Sequence, residues 1–160
     1  MKALVVFYSR TGRTKKIAEH IADILKCDME EIFDTTSRAG LLGYIRAGRD
    51  ATYKKLTTIR KTEKEPSLYN IVIIGTPVWA FTMSPAVRTY ITENKDKFEK
   101  VAFFCTEGGV GGEQTLKEME VLCGKKPLSL LELRTEEIMR GKHIQKIKEF
   151  IEKVRCQNES

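Results

Sequence analysis

The sequence predicts an α/β fold, a doubly wound three-layer sandwich in which helices cover both faces of a five-stranded parallel sheet with strand order 2-1-3-4-5. One observation is that continuous apolar runs, such as Ile71-Val72-Ile73-Ile74, are typical of strands buried on both faces of a parallel sheet. A second is that these runs alternate with stretches of helical periodicity. The chain has 160 residues, which suits one domain over residues 1–160 with a sizeable core.

Each predicted element has its own local signal. Apolar residues three and four apart predict the first helix over residues 13–26, and Ser84-Pro85 predicts the start of another, with serine as its cap. Strands are predicted at residues 2–8, 29–33, 70–75, 100–106 and 127–133. Further helices are predicted at residues 113–123 and 142–155. The fifth strand follows its helix directly, so the sheet has no inserted segment there.

Residues 34–67, between the second and third strands, are longer than a simple crossover and predict an enlarged insertion. Leu41, Leu42 and Ile45 indicate a helix in its first half, and residues 57–66 are typical of an extended charged loop. From Arg38 to Lys64 there are eight basic and two acidic residues, so this segment carries the whole net charge of +6. The rest of the chain is neutral, with 20 basic and 20 acidic residues.

The composition excludes several classes of protein. Apolar residues make up 41% of the chain, which excludes a disordered protein, and no apolar run approaches the length of a membrane span. The first residues lead straight into a strand and show no signal peptide. The four cysteines are scattered and predict no metal site. We therefore expect a cytoplasmic protein with neither a membrane nor a nucleic acid as its partner.

The first predicted strand ends in a hydroxyl-rich turn that leads into the first helix, Ser9-Arg10-Thr11-Gly12-Arg13-Thr14. The first backbone N–H groups of a helix have no internal partner, and the helix dipole places partial positive charge there. The turn therefore predicts a phosphate site, with an ordinary capped turn as the alternative. Neither the ATPase loop G-x-x-x-x-G-K-[ST] nor the dinucleotide loop G-x-G-x-x-G is present. Ser9 stands where a phosphatase loop of this topology would need cysteine.

The hydroxyl turn, together with Ala18 and Ile21 at fixed spacing, resembles the phosphate-binding loop of the flavodoxins over Val5 to Ile21. The resemblance implies flavin mononucleotide (FMN) as cofactor, with its 5′-phosphate bound by the six residues of this loop. In doubly wound sheets ligands bind at the carboxyl ends of the strands. The loops after the third and fourth strands are therefore expected beside the phosphate.

The second loop, Thr76-Pro77-Val78-Trp79-Ala80-Phe81, resembles the one that in this family stacks an aromatic ring on the isoalloxazine and offers backbone groups to its edge. Trp79 is the only tryptophan of the chain and the expected flavin contact, with Phe81 as the competing one. The alternative is that Trp79 is an ordinary core or surface aromatic residue.

The third loop supplies the remaining expected contacts, which are Thr106, Glu107, Gly108, Gly109 and Gly112. In many flavodoxins the matching loop carries a tyrosine that covers the outer flavin face, but here it has no aromatic residue. An uncovered face resembles the flavoprotein quinone reductases of this superfamily, where a second ring stacks on the flavin. Without that resemblance the loop is a flexible turn.

The resemblance implies an FMN-binding protein of electron transfer, in which the flavin carries the chemistry and no side chain is catalytic. A small FMN-dependent NAD(P)H:quinone-type reductase is one alternative, and a flavin-free interaction module on the same fold is another. Expected partners are a redox protein or a small quinone or nicotinamide, and a homodimer is left open. Shuttle members of the family are typically acidic, so the basic segment predicts either a solvated face, a docking surface for an acidic redox partner, or a lid for an anionic substrate.

Overall fold

The computed structural model describes residues 1–35, 42, 43, 45, 46, 49 and 54–159. The elements are, in chain order, β1 (Ala3–Phe7), α1 (Arg13–Leu25), β2 (Asp28–Glu31), β3 (Ile71–Trp79), β4 (Thr82–Met83), α2 (Pro85–Asn94), β5 (Lys100–Glu107), α3 (Gly112–Cys123), β6 (Leu130–Arg134), α4 (Thr135–Met139) and α5 (His143–Asn158). Five strands form a parallel sheet with the order β2-β1-β3-β5-β6, and β4 pairs antiparallel with β3 outside this path. The predicted α/β fold and strand order are therefore confirmed, with one short strand added.

The centre of the sheet is buried on both faces. All five residues of β1 are buried, and its register pairs Val5 with Ile73 and Val6 with Ile74. Because side chains alternate along a strand, Val6 packs in the core beneath α2 and α3, whereas Val5 packs in the core beneath α1 and α5. Burial of one such side chain stabilises the fold by about 1.5–3 kcal/mol. This two-sided burial explains why the central strands are continuous apolar runs.

Several predicted boundaries are wrong by a few residues. The second strand is Asp28–Glu31 rather than 29–33, and the last is Leu130–Arg134 rather than 127–133. The larger difference is β3, which was expected to end at Gly75 and to be followed by the second loop, beginning at Thr76. The strand continues to Trp79 because Thr82–Met83 returns beside it as an antiparallel partner.

The described second half of the insertion runs along the edge of the sheet. Asp34 and Ile59 form an isolated antiparallel bridge, and the backbone N–H of Arg60 donates to the carbonyl of Phe33 at 2.8 Å. The Glu30 carboxylate, on the edge strand β2, accepts hydrogen bonds from backbone N–H groups of residues 63 and 64. These contacts cover an edge that would otherwise present unpaired backbone groups.

Residues 42, 43, 45, 46 and 49 are helical, which agrees with the helix expected in the first half of the insertion. Leu41, on which that prediction also depends, lies outside the described residues. No helix in the described ranges is both long and apolar enough to cross a membrane.

A first prediction concerns the centre of the sheet, where Gly75 lies beneath the ring of Phe104. A Cβ atom at position 75 would come within 2.0 Å of the ring carbon Cζ of Phe104. We expect Gly75→Ala to lower the free energy of unfolding by about 3 kcal/mol, the upper end of the usual cost of overpacking. Urea unfolding measures this change.

The matched control is Gly109→Ala, because no atom lies within 4 Å of a Cβ placed at position 109. This exposed change should alter the free energy of unfolding by no more than about 0.5 kcal/mol. Equal stability of the two variants would contradict the close packing of Gly75 on Phe104.

Candidate functional site

Strands β1, β3 and β5 end at the same edge of the sheet, and the loops after them enclose a cavity of about 240 Å³. Because the strands are parallel neighbours, their carboxyl ends and following loops are brought together. The residues that line the cavity are Arg10, Thr11, Arg13, Thr14, Pro77, Val78, Trp79, Ala80, Thr106, Glu107, Gly108 and Thr135. Eleven of these twelve are among the seventeen residues that the sequence predicted.

The first wall of the cavity is the turn between β1 and α1. Gly12 is the N-cap of α1, with a φ of 91° that favours glycine, and no side chain caps the helix. The Ser9 hydroxyl instead accepts a hydrogen bond from the backbone N–H of Gly12 at 3.1 Å, which closes the turn. Since the start of α1 lines the cavity without a side-chain cap, its first N–H groups provide a site for an anion.

A pair of buried threonines joins the first and third loops. The Thr14 and Thr106 hydroxyls lie 2.8 Å apart, and both side chains are almost completely buried while lining the cavity. One hydroxyl of such a pair donates to the other, so the accepting hydroxyl keeps its own proton for a further acceptor. The pair therefore provides a hydrogen-bond donor beside the start of α1.

The second wall is the β3–β4 hairpin. Trp79 and Thr82 are paired, so Ala80 and Phe81 alone form the turn, with φ values of 49° and 65°. Two residues of positive φ between paired strands are typical of a type I′ turn, which normally contains glycine or asparagine. The rings of Trp79 and Tyr8 form a T-shaped pair, with their centroids 5.5 Å apart. The tip of this hairpin is therefore strained but held by its surroundings.

A polar network fixes the base of the hairpin. The Thr82 hydroxyl bonds to the Glu118 carboxylate, and the buried Arg88 guanidinium donates to Thr82 at 2.8 Å. Lys54, from the insertion, forms an ion pair with the same carboxylate at 3.2 Å. Burial opposes ionisation of Glu118, but the Thr82 hydroxyl and Lys54 outweigh it and lower the pKa of the carboxyl. The network ties β4, α2, α3 and the insertion together behind the cavity wall.

The third wall is the glycine-rich segment after β5. Gly111 has a φ of 106°, and a Cβ there would lie 2.9 Å from the Cα of Phe81. This position therefore requires glycine, and the close contact joins the hairpin to the third loop. By contrast, the space around Gly108 and Gly109 is open.

Six predicted site residues do not line the cavity. Ser9 and Gly12 shape the first turn, and Phe81 is half exposed against Gly111. Thr76 is buried, and its hydroxyl accepts a hydrogen bond from the backbone N–H of Ser84 at 3.0 Å, which positions the start of α2. The other two are Gly109 and Gly112.

The cavity also includes Thr135, which the sequence analysis did not single out. Its hydroxyl donates to the backbone carbonyl of Glu107 at 3.0 Å. Thr135 directly follows the edge strand β6, and hydroxyl residues likewise stand near the ends of the central strands β1, β3 and β5. That recurring position was the signal that could have found it.

Two arginines and one acid among the described residues give the cavity its charge. Arg10 and Arg13 line it beside the start of α1, and Glu107 lines it from the end of β5. The positive groups and the helix start lie together, so an anionic group suits that end of the cavity.

Comparison with known proteins is consistent with this architecture. A family profile described as Flavodoxin matches residues 2–154. The fold is similar to that of a flavoprotein from Lactobacillus acidophilus NCFM in complex with FMN, with a TM-score of 0.70 and 21% identity over 87% of this chain and 97% of that one. No curated protein sequence gave a significant match.

Two further solved structures share the fold. A candidate flavoprotein from Bacteroides uniformis ATCC 8492 has a TM-score of 0.76 and 18% identity over 94% of this chain and 97% of that one. A flavodoxin from Streptococcus pneumoniae TIGR4 has a TM-score of 0.59 and 16% identity over 98% of this chain and 99% of that one. At these identities the structural similarity establishes the fold alone.

A second prediction follows from the strained hairpin tip. An L-residue in the left-handed region costs roughly 1–2 kcal/mol, whereas glycine loses about 0.5–1 kcal/mol more conformational entropy on folding. We therefore expect Ala80→Gly to raise the free energy of unfolding by about 0.5–1 kcal/mol, measured by urea unfolding. Ala102→Gly, at a buried position of β5 with no positive φ, should lower it. A loss of stability in both variants would show that the turn at Ala80 is not strained.

Proposed function

Because the chain belongs to the flavodoxin family, we propose that it binds FMN and acts in electron transfer. One observation carries the proposal: the start of α1, which has no side-chain cap, lines a cavity together with threonine hydroxyls and two arginines. Uncapped N–H groups, hydroxyl donors and guanidinium groups are the partners that a phosphate dianion needs. The FMN complex of the similar Lactobacillus flavoprotein supports the choice of this phosphate compound.

The residues present fit FMN. The phosphate would be held by Thr11, Thr14 and the N–H groups at the start of α1, and the ring system would lie between the hairpin and the glycine-rich third loop. The cavity of about 240 Å³ is slightly smaller than the ~300–1,000 Å³ of pockets that enclose a whole ligand, so part of the cofactor would stay in contact with solvent. An exposed edge is what electron transfer to a partner requires.

Bound FMN would supply the redox chemistry, and the protein would supply its position and electrostatic surroundings. Trp79 and Pro77 line the cavity from the hairpin, whose base is fixed by the Thr82–Glu118–Arg88 network. Arg10 and Arg13 place positive charge in the cavity wall, which favours any negative charge that the cofactor gains.

A third prediction tests the phosphate site. Charge-assisted hydrogen bonds contribute about 1.5–3 kcal/mol each, so Thr14→Ala should raise the dissociation constant of FMN roughly tenfold or more. The purified chain, freed of cofactor, is titrated with FMN, and both the flavin fluorescence and the emission of Trp79 are followed. Emission of this single tryptophan should be quenched as FMN binds, if the ring contacts the flavin.

Thr14→Ser is the matched control, because it keeps the hydroxyl that faces Thr106. Its dissociation constant should remain within a few-fold of the wild-type value, and urea unfolding should confirm that all three proteins are folded. An unchanged affinity in Thr14→Ala would remove the hydroxyl from the phosphate site. The absence of any FMN binding by the wild-type chain would instead favour a flavin-free interaction module.

The open third loop supports a second candidate, a small FMN-dependent reductase that transfers electrons from NADH or NADPH to a quinone. No atom lies within 4 Å of a Cβ placed at Gly108 or Gly109, so a second ring has space to stack there. Steady-state turnover with NADH or NADPH and a benzoquinone separates the two candidates. A carrier would show no such turnover.

We also propose that the basic insertion attracts an acidic redox protein. Lys54 and Lys64 are engaged in ion pairs with Glu118 and Asp28, so their charges are partly neutralised. The attraction would therefore depend on exposed cations of the insertion outside these two ion pairs, including Arg46 and Lys61. Attraction of this kind raises association rates at low salt and is screened within about 8 Å at physiological ionic strength.

A fourth prediction tests this attraction. The double change Arg46→Glu and Lys61→Glu should slow reduction by an acidic [2Fe–2S] ferredoxin roughly tenfold at low salt and should flatten the dependence of the rate on salt. Stopped-flow absorbance measures the rate. The affinity for FMN should change much less, because the phosphate site lies in the first loop.

The control is the double change Lys148→Glu and Lys153→Glu, which alters the net charge equally on exposed positions of α5. This helix covers the other face of the sheet from α2. Equal rates for the two reversed proteins would show that only net charge matters and that the insertion is a solvated face.

A further inference from the structure

Two glutamates lie side by side at the carboxyl end of the sheet. Glu107 ends β5, and Glu132 is in the middle of the neighbouring strand β6. The register pairs Cys105 with Glu132, so Glu132 and Glu107 project from the same face as diagonal neighbours. The side chain of Glu132 lies over Gly112, where an added Cβ would come within 2.6 Å of its carboxyl carbon.

Glu107 is almost completely buried and holds its two carboxylate oxygens in different surroundings. Oε2 accepts a hydrogen bond from the backbone N–H of Gly112, the first residue of α3, at 2.9 Å. Oε1 is buried and has no hydrogen-bond donor among the described residues as long as Glu132 is ionised. The Nε atom of Arg134 lies 3.5 Å from it, within an ion pair but outside a hydrogen bond.

A single proton on Glu132 would provide the hydrogen-bond donor that Oε1 of Glu107 lacks. The backbone N–H of Gly112 donates to Glu107, and Arg134 forms an ion pair with it, so Glu132 is the better position for the proton. A hydrogen bond to Glu107, together with burial and repulsion between the two carboxylates, raises the pKa of Glu132 to about 7. Protonated Glu132 then donates to Glu107.

Other titratable groups also surround the pair. Arg134 on β6 and Lys146 on α5 favour the ionised form of Glu132. Lys146 is itself shared with Glu137 of α4, whose carboxylate lies 2.5 Å away. The Cys105 thiol faces the pair from β5, and burial together with the two carboxylates raises its pKa, so it stays neutral.

The pair is connected to the cavity. Glu107 lines it, and the backbone carbonyl of Glu107 accepts the hydrogen bond from Thr135, which also lines it. Thr106, adjacent to Glu107, shares its hydroxyl bond with Thr14 at the start of α1. An anion in the cavity would therefore lie beside Glu107, one member of the carboxyl pair.

From this geometry we propose that Glu107 and Glu132 share one proton and form a proton-binding site that couples the charge of the cavity ligand to proton uptake. The inference rests on the proposed function in that FMN is taken as the anionic ligand. When FMN binds, one proton from solvent adds to the doubly ionised pair, and no other bond forms or breaks. Affinity for FMN then falls as the pH rises through the range in which the pair would lose its proton.

The test follows the glutamate side-chain carboxyl carbons by NMR during a pH titration. In the cofactor-free protein one carboxyl signal should titrate near pH 7, and it should disappear in Glu132→Gln. With FMN bound, its midpoint should move to higher pH. Riboflavin, which lacks the phosphate charge, should move it less. The proposal is overturned if every glutamate titrates in the ordinary acid range, or if FMN leaves the midpoint unchanged.

A second measurement compares dissociation constants of FMN at pH 6 and pH 8. Glu132→Gln keeps a hydrogen-bond donor to Glu107 but cannot titrate. The ratio of the wild-type to the variant constant should rise roughly fivefold or more between the two pH values, the low end of coupling between sites. Titration of the FMN phosphate changes both constants equally, so its effect cancels in this ratio. The ratio for the exposed control Glu136→Gln should stay constant.

The two measurements separate the possible failures. A ratio that does not change with pH overturns the coupling. If the wild-type protein binds no FMN at any pH, both the proposed function and the coupling are overturned. The titration of the cofactor-free protein still decides whether the pair shares a proton. That titration uses wild-type protein, so it holds even if a variant does not fold.

Discussion

The burial of β1, β3 and β5 on both faces is the constraint on which the site depends. A strand that is covered by helices on both sides has no place for polar side chains, so the polar groups of these strands are concentrated where the strands end. Ser9, Thr76 and Thr106 stand at or just beyond the carboxyl ends of the apolar runs. Because the strands are parallel, these ends meet at one edge, and the cavity is a consequence of the sheet.

Glycines then set how closely the parts around this edge approach each other. Gly75 accommodates the Phe104 ring, Gly111 accommodates the backbone of Phe81, and Gly112 accommodates the Glu132 side chain. Each contact joins elements that are distant in sequence, and an added methyl group would collide with the Phe104 ring at Gly75 and with the backbone of Phe81 at Gly111. The third loop is therefore not simply flexible: two of its glycines are fixed by close contacts, while Gly108 and Gly109 face open space.

Local sequence patterns predicted those features that depend only on residues close together in the chain. The apolar runs marked the strands, the doubly wound topology supplied their order, and the turn predicted from Ser9 to Thr14 forms one wall of the cavity. The β3–β4 hairpin was missed because its turn uses Ala80 and Phe81 at positive φ, where glycine or asparagine would have been the sequence signal. The pair of Glu107 and Glu132 depends on the register of neighbouring strands, which no single segment of sequence contains.

The basic insertion and the cavity wall are parts of one packed unit. Lys54 binds Glu118, Glu118 binds Thr82, and Thr82 lies three residues after Trp79 in the hairpin. A change at Lys54 would thus alter an ion pair that supports the site as well as the charge of the surface. Exposed cations such as Arg46 and Lys61 differ, because they take no part in this network. Long-range attraction and local support of the cavity are therefore carried by different cations of the same segment, and only the former is strongly screened by salt.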